Sequence, residues 1–428
     1  MSSNQRINVL SLFSSAGIGE LGVKAAGMNI LLSNELLKER CELYIQNYPE
    51  TENICGDIWE LKDEIINKWN LKGVGSPFLL YATPPCQGMS FNSVGAIQRF
   101  VREGVRPKED PRNRLIIPTI HIAKKLRPLW IMMENVPEMG NTIIRTDNDE
   151  YKNIIQYIKD ELSPDYIGKA EVVNCADFGI PQIRERLITI FTRSDLGKKH
   201  FIEKQTFIPT TTHSQQSKDG KEKWVTLRDA IETLPSLSGK KGENQCADIP
   251  WHVVPIMKDE KYWWVANTPY NETAYNNQCV KCGCKDNPRH GMCMLDGRHQ
   301  SKKDTPIYCY NCGALLPRPT MIDKKTGVRR MIKGFDSAYR RMSWDSPAGT
   351  ITQNFQYEAS DKKIHPVQNR TLSVYEALKL QTISEFDYTF AINGKQISRN
   401  FCCQIIGESV PPKLIKILST HLLKIENL

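Results

Sequence analysis

The sequence has no long hydrophobic run. Its longest apolar stretches, such as LIIPTIHIA, are broken by proline and polar residues well short of the roughly 20 apolar residues that span a bilayer. Its first residues, MSSNQRINVLSLF, carry neither the extended apolar core nor the small-residue cleavage site of a secretory signal. No internal repeat or low-complexity tract interrupts the chain. These absences argue against a helical membrane protein, a secreted one and a solenoid, and lead us to expect a cytoplasmic globular protein. In that reducing setting the 13 cysteines are expected as metal ligands, buried filler or a catalytic thiol, and not as disulfides.

What is present is ordinary globular composition, 40% hydrophobic and 25% charged over 428 residues, with room for two or three domains. The net charge of +9 is unevenly spread. Residues 197–345 hold 25 basic and 16 acidic side chains, and the rest of the chain balances at 32 of each. A basic excess confined to one segment is the footprint of a polyanionic partner, although a merely solvated face would read the same way.

From residue 7 to about 195, short apolar runs (INVLSLF, NILLSNE, FLLYA, LWIMMENV, AEVVN, RLITIFT) alternate with helix-like stretches, which predicts a parallel sheet covered on both faces. The alternation stops from about 197 to 345, where five of the eight tryptophans fall. It returns as two amphipathic helices in TLSVYEALKLQTI and PPKLIKILSTHLLKI. The organisation is therefore 1–196, an inserted irregular basic domain at 197–345, and 346–428 returning to the first part.

Chemistry concentrates at the ends of the apolar runs. After FLLYA come Thr83, Pro84, Pro85 and Cys86; two prolines force the chain extended and hold the thiol out at a strand end, where it reads as a nucleophile. LWIMM ends in Glu134, a carboxylate where a buried strand carries none. INVLSLF runs into a turn whose Gly17, Gly19 and Gly22 give G-x-G-x-x-G, suited to close backbone approach by a nucleotide. Glu35 ends the next run at the place of a ribose-binding carboxylate, and Asp57 follows as a third rim acid or as a helix N-cap. A dinucleotide would fit this loop as well as a single nucleoside. Residues 87–112, with Gly88, Gly95, Gly104, Arg99, Arg102 and Arg106, read as a lid over the thiol. In the middle segment, CVKCG and CYNCG offer Cys279, Cys282, Cys309 and Cys312 to one tetrahedral zinc, with Cys284, Cys293, His290 and His299 as alternative ligands. A redox pair is the competing reading of one such motif.

Taken in order, these segments resemble the cytosine-C5 methyltransferases that use S-adenosylmethionine. Phe13, Gly17 and Gly19 resemble that family's donor loop, Glu35 and Asp57 its ribose and adenine contacts, and PPCQ, with Pro85 and Cys86, its nucleophile motif. ENV at 134–136, QIRER at 182–186, RTLSVYEALKLQTI and the VPP turn at 410–412 complete the series. The resemblance implies a Rossmann-like α/β methyltransferase domain carrying an inserted target-recognition domain with a zinc ribbon. It implies that Cys86 attacks C6 of cytosine, that protonated Glu134 relieves the charge at N3, and that Arg184 and Arg186 face the base O2 and the thiolate loop. A cytosine in a duplex would have to be flipped out. The implied partners are S-adenosylmethionine, double-stranded DNA and a cognate restriction endonuclease, the last linked by function and not necessarily by contact, and the protein itself is expected to be a monomer.

Three positions depart from the pattern. The donor loop reads FSSAGIGE, Leu36 stands where an aromatic often follows the ribose acid, and Glu408 occupies a place where asparagine is common. The competing readings are a transfer-RNA methyltransferase, disfavoured by the large basic insert; a dinucleotide oxidoreductase, which leaves Cys86, Glu134 and the arginines without a task; and a catalytically silent DNA-binding homologue, which has no need of Cys86 or Glu134.

Overall fold

The computed structural model describes residues 7–85, 110–290, 292–295, 298–301 and 305–428, with backbone alone for 292–295 and 298–301. Its first part runs β1 (Asn8–Leu12), α1 (Glu20–Ala25), β2 (Asn29–Glu35), α2 (Lys38–Asn47), β3 (Glu52–Cys55), α3 (Ile58–Leu71) and β4 (Leu79–Ala82). Then come α4 (Ile116–Leu126), β5 (Trp130–Asn135), α5 (Ile154–Leu162), β6 (Ile167–Asn174), β7 (Glu185–Thr192) and α6 (Asp195–Lys204). The strands form one sheet in the order β3-β2-β1-β4-β5-β7-β6.

Both faces of the sheet are covered, which is why its central strands read as unbroken apolar runs. Side chains alternate between two cores: Val9, Leu79, Tyr81, Trp130 and Met132 join α1, α2 and the C-terminal helices, whereas Leu10, Leu80, Ile131 and Met133 join α3, α4 and α5.

The sheet is mixed, not parallel throughout as the alternation predicts. β7 runs antiparallel to both β5 and β6. Only residues 175–184 separate β6 from β7, and they hold one short 3-10 turn, Cys175–Phe178. A parallel return needs a crossover of a dozen or more residues, so the chain doubles back instead.

Among the described residues, the segment from 205 to 345 adds no strand to this sheet. Its strands are two to four residues long. It builds small clusters of its own, one around Trp264, Tyr275 and Tyr339 and another around Cys279, Cys309 and Leu316. Phe207, Leu227, Ile231, Met342 and Trp344, near its two ends, belong to the main core.

The chain then returns as α7 (Val374–Leu380), α8 (Arg399–Glu408) and α9 (Pro412–Ile425). α7 starts at a capping box between Ser373 and Glu376, and Arg370 makes two 2.7 Å hydrogen bonds to the Glu376 carboxylate beneath it. α9 lies against α1, where a Cβ added at Gly22 would meet the Pro412 carbonyl oxygen at 2.2 Å. No helix among the described residues is long and apolar enough to cross a membrane.

Candidate functional site

β2 and β4 lie on opposite sides of β1, so the chain departs in different directions from neighbouring strand ends and leaves a crevice there. The loop after β1 enters it in an unusual conformation, with Phe13, Ser15 and Gly17 all in the left-handed region (φ 57°, 48° and 83°). Only the last is a residue that adopts this region without strain. The surroundings hold the loop. Ser14 donates through its N–H and its hydroxyl to the Asn34 carbonyl, Tyr48 donates to the Gly17 carbonyl at 2.5 Å, and Tyr388 donates to the Ala16 carbonyl at 2.7 Å.

Three acids line the rim and base of this loop. Glu35, at the end of β2, accepts from the Ser15 and Leu37 N–H groups, both at 2.9 Å. Asp57 caps α3 by accepting from the Trp59 N–H at 2.9 Å. Glu35 pairs in register with Cys55, so sheet order brings Phe13, Gly17, Gly19, Glu35 and Asp57 to one edge, and Leu36 stands exposed beside them. The third acid, Glu20, is one that sequence reasoning passed over. It is buried under the loop, accepting from the Ser11 hydroxyl at 2.5 Å, and burial pushes its carboxyl up to about 7. The only sign in the sequence is an acid directly after a glycine turn.

On the other side of β1 the chain leaves β4 through Thr83, whose hydroxyl donates to the Phe13 carbonyl at 2.9 Å. Pro84 follows, its carbonyl accepting from Asn135 Nδ2 at 2.9 Å. That bond ties the Pro84–Pro85 segment to the end of β5, where Glu134 is buried. Cys86 lies outside the described residues, as do residues 87–109 of the predicted lid.

Glu134 meets Arg186 on the neighbouring strand, Nε to Oε1 at 2.8 Å. Burial raises the Glu134 carboxyl above its ordinary value, and the positive charges of Arg186 and Arg184 oppose that rise. The two arginines have different partners. Arg184, at 1% exposure, donates to the carbonyls of Ile351, Gly407 and Ser409 at 2.7, 3.2 and 2.8 Å, fastening the C-terminal turn behind the site. Gln182 and Gln381 do related work, joined to each other at 3.0 Å and to the Ile351 N–H and the Ile406 carbonyl.

Far along the chain, Cys279, Cys282, Cys309 and Cys312 converge, their sulfurs all within 4.8 Å of one another. The Sγ separations Cys279–Cys312, Cys279–Cys282 and Cys282–Cys309 are 3.6, 3.6 and 3.7 Å. Four thiolates about 2.3 Å from a tetrahedral zinc would stand roughly 3.7 Å apart, so the geometry fits that ion. Cys284 packs beside the cluster without joining it, and His290 is engaged with the Thr305 hydroxyl at 2.9 Å. The side chains of Cys293 and His299 lie outside the described residues.

Residues 7–424 match the family described as C-5 cytosine-specific DNA methylase. The chain is similar to the type II methyltransferase M1.HgaI of Avibacterium volantium, 30% identical, with 96% of this chain and 97% of the relative covered. It is 27% identical to the type II methyltransferase M1.HphI of Haemophilus parahaemolyticus over 98% of this chain and 87% of that one. Among solved structures, its fold resembles that of the Entamoeba histolytica methyltransferase EhMeth, with a TM-score of 0.55 at 13% identity and coverage of 98% and 99%.

Proposed function

The chain belongs to the C-5 cytosine-specific DNA methylases, and from that premise we propose how its residues carry out the reaction. It is a DNA cytosine-C5 methyltransferase of restriction-modification type. C5 of cytosine is a weak nucleophile. Cys86, next after Pro85, adds as a thiolate to C6 while Glu134 gives its proton to N3, so that C5 gains enamine character. S-adenosylmethionine, when bound at the loop of Phe13, Gly17, Gly19, Glu35 and Asp57 with Pro85 at its edge, supplies the methyl group that C5 takes. Water removes the C5 proton, the Cys86–C6 bond breaks with its electron pair returning to sulfur, and N3 returns its proton to Glu134.

The observation that carries this reading is the Asn135–Pro84 hydrogen bond, which couples the Glu134 strand end to the segment leading directly into Cys86. Burial of Glu134 supports its role as the acid, since a carboxyl must keep its proton near neutrality to donate it. Arg186, beside it, faces the base O2 and holds the carboxyl group in place. Arg184 supports the same strand from behind.

The reading extends to the insert. Residues 197–345 act as the target-recognition domain between catalytic parts 1–196 and 346–428, and Cys279, Cys282, Cys309 and Cys312 hold a structural zinc that orders a lobe too small for a core of its own. The substrate is double-stranded DNA with the cytosine flipped out. The enzyme works in the cytoplasm as a monomer, protecting DNA from a restriction endonuclease of the same specificity.

The test is transfer of labelled methyl from S-adenosylmethionine to unmethylated DNA, with conversion sequencing to find the modified cytosines. Methylation within one short motif, abolished by Cys86→Ser, is the expected result. Transfer to RNA alone would overturn the DNA reading, and full transfer by the serine variant would overturn the covalent route.

A further inference from the structure

In the insert, Thr320–Ile322 and Arg329–Met331 pair antiparallel as a hairpin. Its turn is closed by the Gly327 N–H, which donates to the Asp323 carbonyl, and by the Asp323 N–H, which donates to the Val328 carbonyl, both at 2.9 Å. Cross-strand partners share a face, and the two faces differ. On one, Thr320 and Met331 are buried, Met331 in the cluster around Trp264, and Arg329 donates to the Thr320 hydroxyl at 2.9 Å and pairs with Glu260. That face anchors the hairpin. The other carries Met321 opposite Arg330, and from Met321 to Val328 every residue but Asp323 is exposed, so the tip stands out from the domain. Residues 320–333 hold five basic side chains, Lys324, Lys325, Arg329, Arg330 and Lys333, against one acid, Asp323.

Asp323 is committed on both oxygens. Its Oδ1 accepts from the Lys325 and Thr326 N–H groups at 2.9 and 3.3 Å, fixing the turn, and its Oδ2 accepts from Arg330 Nε at 3.1 Å. An exposed ion pair adds little to folding, but this one sets a direction. It holds the guanidinium by its Nε edge, and among the described residues the one other partner of Arg330 is the adjacent Met331 carbonyl, 3.4 Å from Nη1. The outer fork is left open. Such a fork matches the paired acceptors O6 and N7 that guanine presents in the major groove of DNA, a groove that admits a two-stranded ribbon. We propose that Arg330, braced by Asp323, reads a guanine of the recognised sequence, with Lys324 and Lys325 at the hairpin tip on the flanking phosphates. Met321 beside it offers an apolar contact to a neighbouring base. The proposal rests on residues 197–345 being the target-recognition domain, the reading given for the insert above.

The experiment takes the motif found by conversion sequencing and measures kcat/KM of the full chain on duplexes carrying each single base-pair change in it. Arg330→Ala lowers kcat/KM on the intact motif by about tenfold to a hundredfold. It also loses discrimination at one G·C pair, where the altered duplexes now react as fast as the intact one. Discrimination kept at the other positions certifies the fold. Asp323→Asn, which leaves the arginine but removes its brace, relaxes the same position in part. The double variant Lys324→Ala, Lys325→Ala slows every duplex alike and lowers the slope of log affinity against log salt by about 2. Undiminished discrimination at every position in Arg330→Ala would leave the hairpin to some other partner, and an equal loss on all duplexes would make Arg330 a phosphate contact; each overturns the proposal. Methylation by the unaltered protein at no particular motif, or none at all, would instead remove the recognition role of the insert, and this assignment with it.

Discussion

Arg186 and Glu134 face each other across adjacent antiparallel strands, Nε to Oε1 at 2.8 Å, in a place where burial and positive charge act on one carboxyl in opposite senses. Burial prevails, so the carboxyl holds its proton to higher pH than an ordinary glutamate does, and transfer should decline as pH rises through that raised value. Removing the opposing charge with Arg186→Ala should move the decline to still higher pH. Glu134→Gln should abolish it and slow single-turnover transfer by about 10² to 10⁴. Rates measured between pH 6 and 9 check this, and an unmoved alkaline limb in Arg186→Ala would count against the coupling.

Glu20 gives a second pH effect, on stability. Its carboxyl rises from 4.5 to about 7 through burial. Between those values the folded protein keeps a proton that the unfolded chain has released, so stability falls as pH climbs through the window, by up to about 3 kcal/mol. Glu20→Gln should flatten that slope and raise the melting temperature at pH 8, with little change at pH 4.5. Thermal denaturation at the two pH values provides the comparison.

The buried Arg370–Glu376 pair has the opposite sign. Burial alone would push Glu376 up, but Arg370 and the Ser373 N–H outweigh it and hold the carboxyl at about 2. The stability it confers is present above pH 4.5 and is lost as pH falls toward 2. Arg370→Met strands a buried carboxylate and should lower stability at pH 7 by about 3–5 kcal/mol, whereas replacing both residues with apolar ones should recover most of it. Urea midpoints for the single and double variants test this.

The cysteine cluster predicts one zinc per chain by elemental analysis. Cys309→Ala should lose the metal and lower the melting temperature. Acidification should release the ion as the thiols take up protons. Because the cluster lies far along the chain from the donor loop, S-adenosylhomocysteine binding should survive while affinity for DNA falls. Full DNA affinity in a metal-free protein would show that the lobe is dispensable for recognition.

Much of the crevice was legible because the chemistry punctuates apolar runs: Glu35 and Glu134 end strands, Asp57 opens a helix, and the cysteine spacing states its own geometry. What stayed hidden depends on distant chain. The partners of Arg184 are Ile351, Gly407 and Ser409, and no local pattern predicts that a guanidinium will serve as a bolt for backbone carbonyls so far along the chain. Glu20 is buried by what surrounds it, including Tyr44 in α2, Tyr48 directly after it and Tyr81 in β4. The reversal at β7 turned on the length of one connection, which periodicity does not weigh.

The glycine loop at residues 13–19 is held by Tyr388, far along the chain, and the helix that follows it rests through Gly22 on Pro412. A nascent polypeptide therefore carries the whole glycine turn for more than three hundred residues of synthesis before the parts that give the turn its shape are made. Residues 388–412 have to leave the ribosome before the loop can take this shape, so a product that stops short of them should be inert even though it contains Cys86 and Glu134.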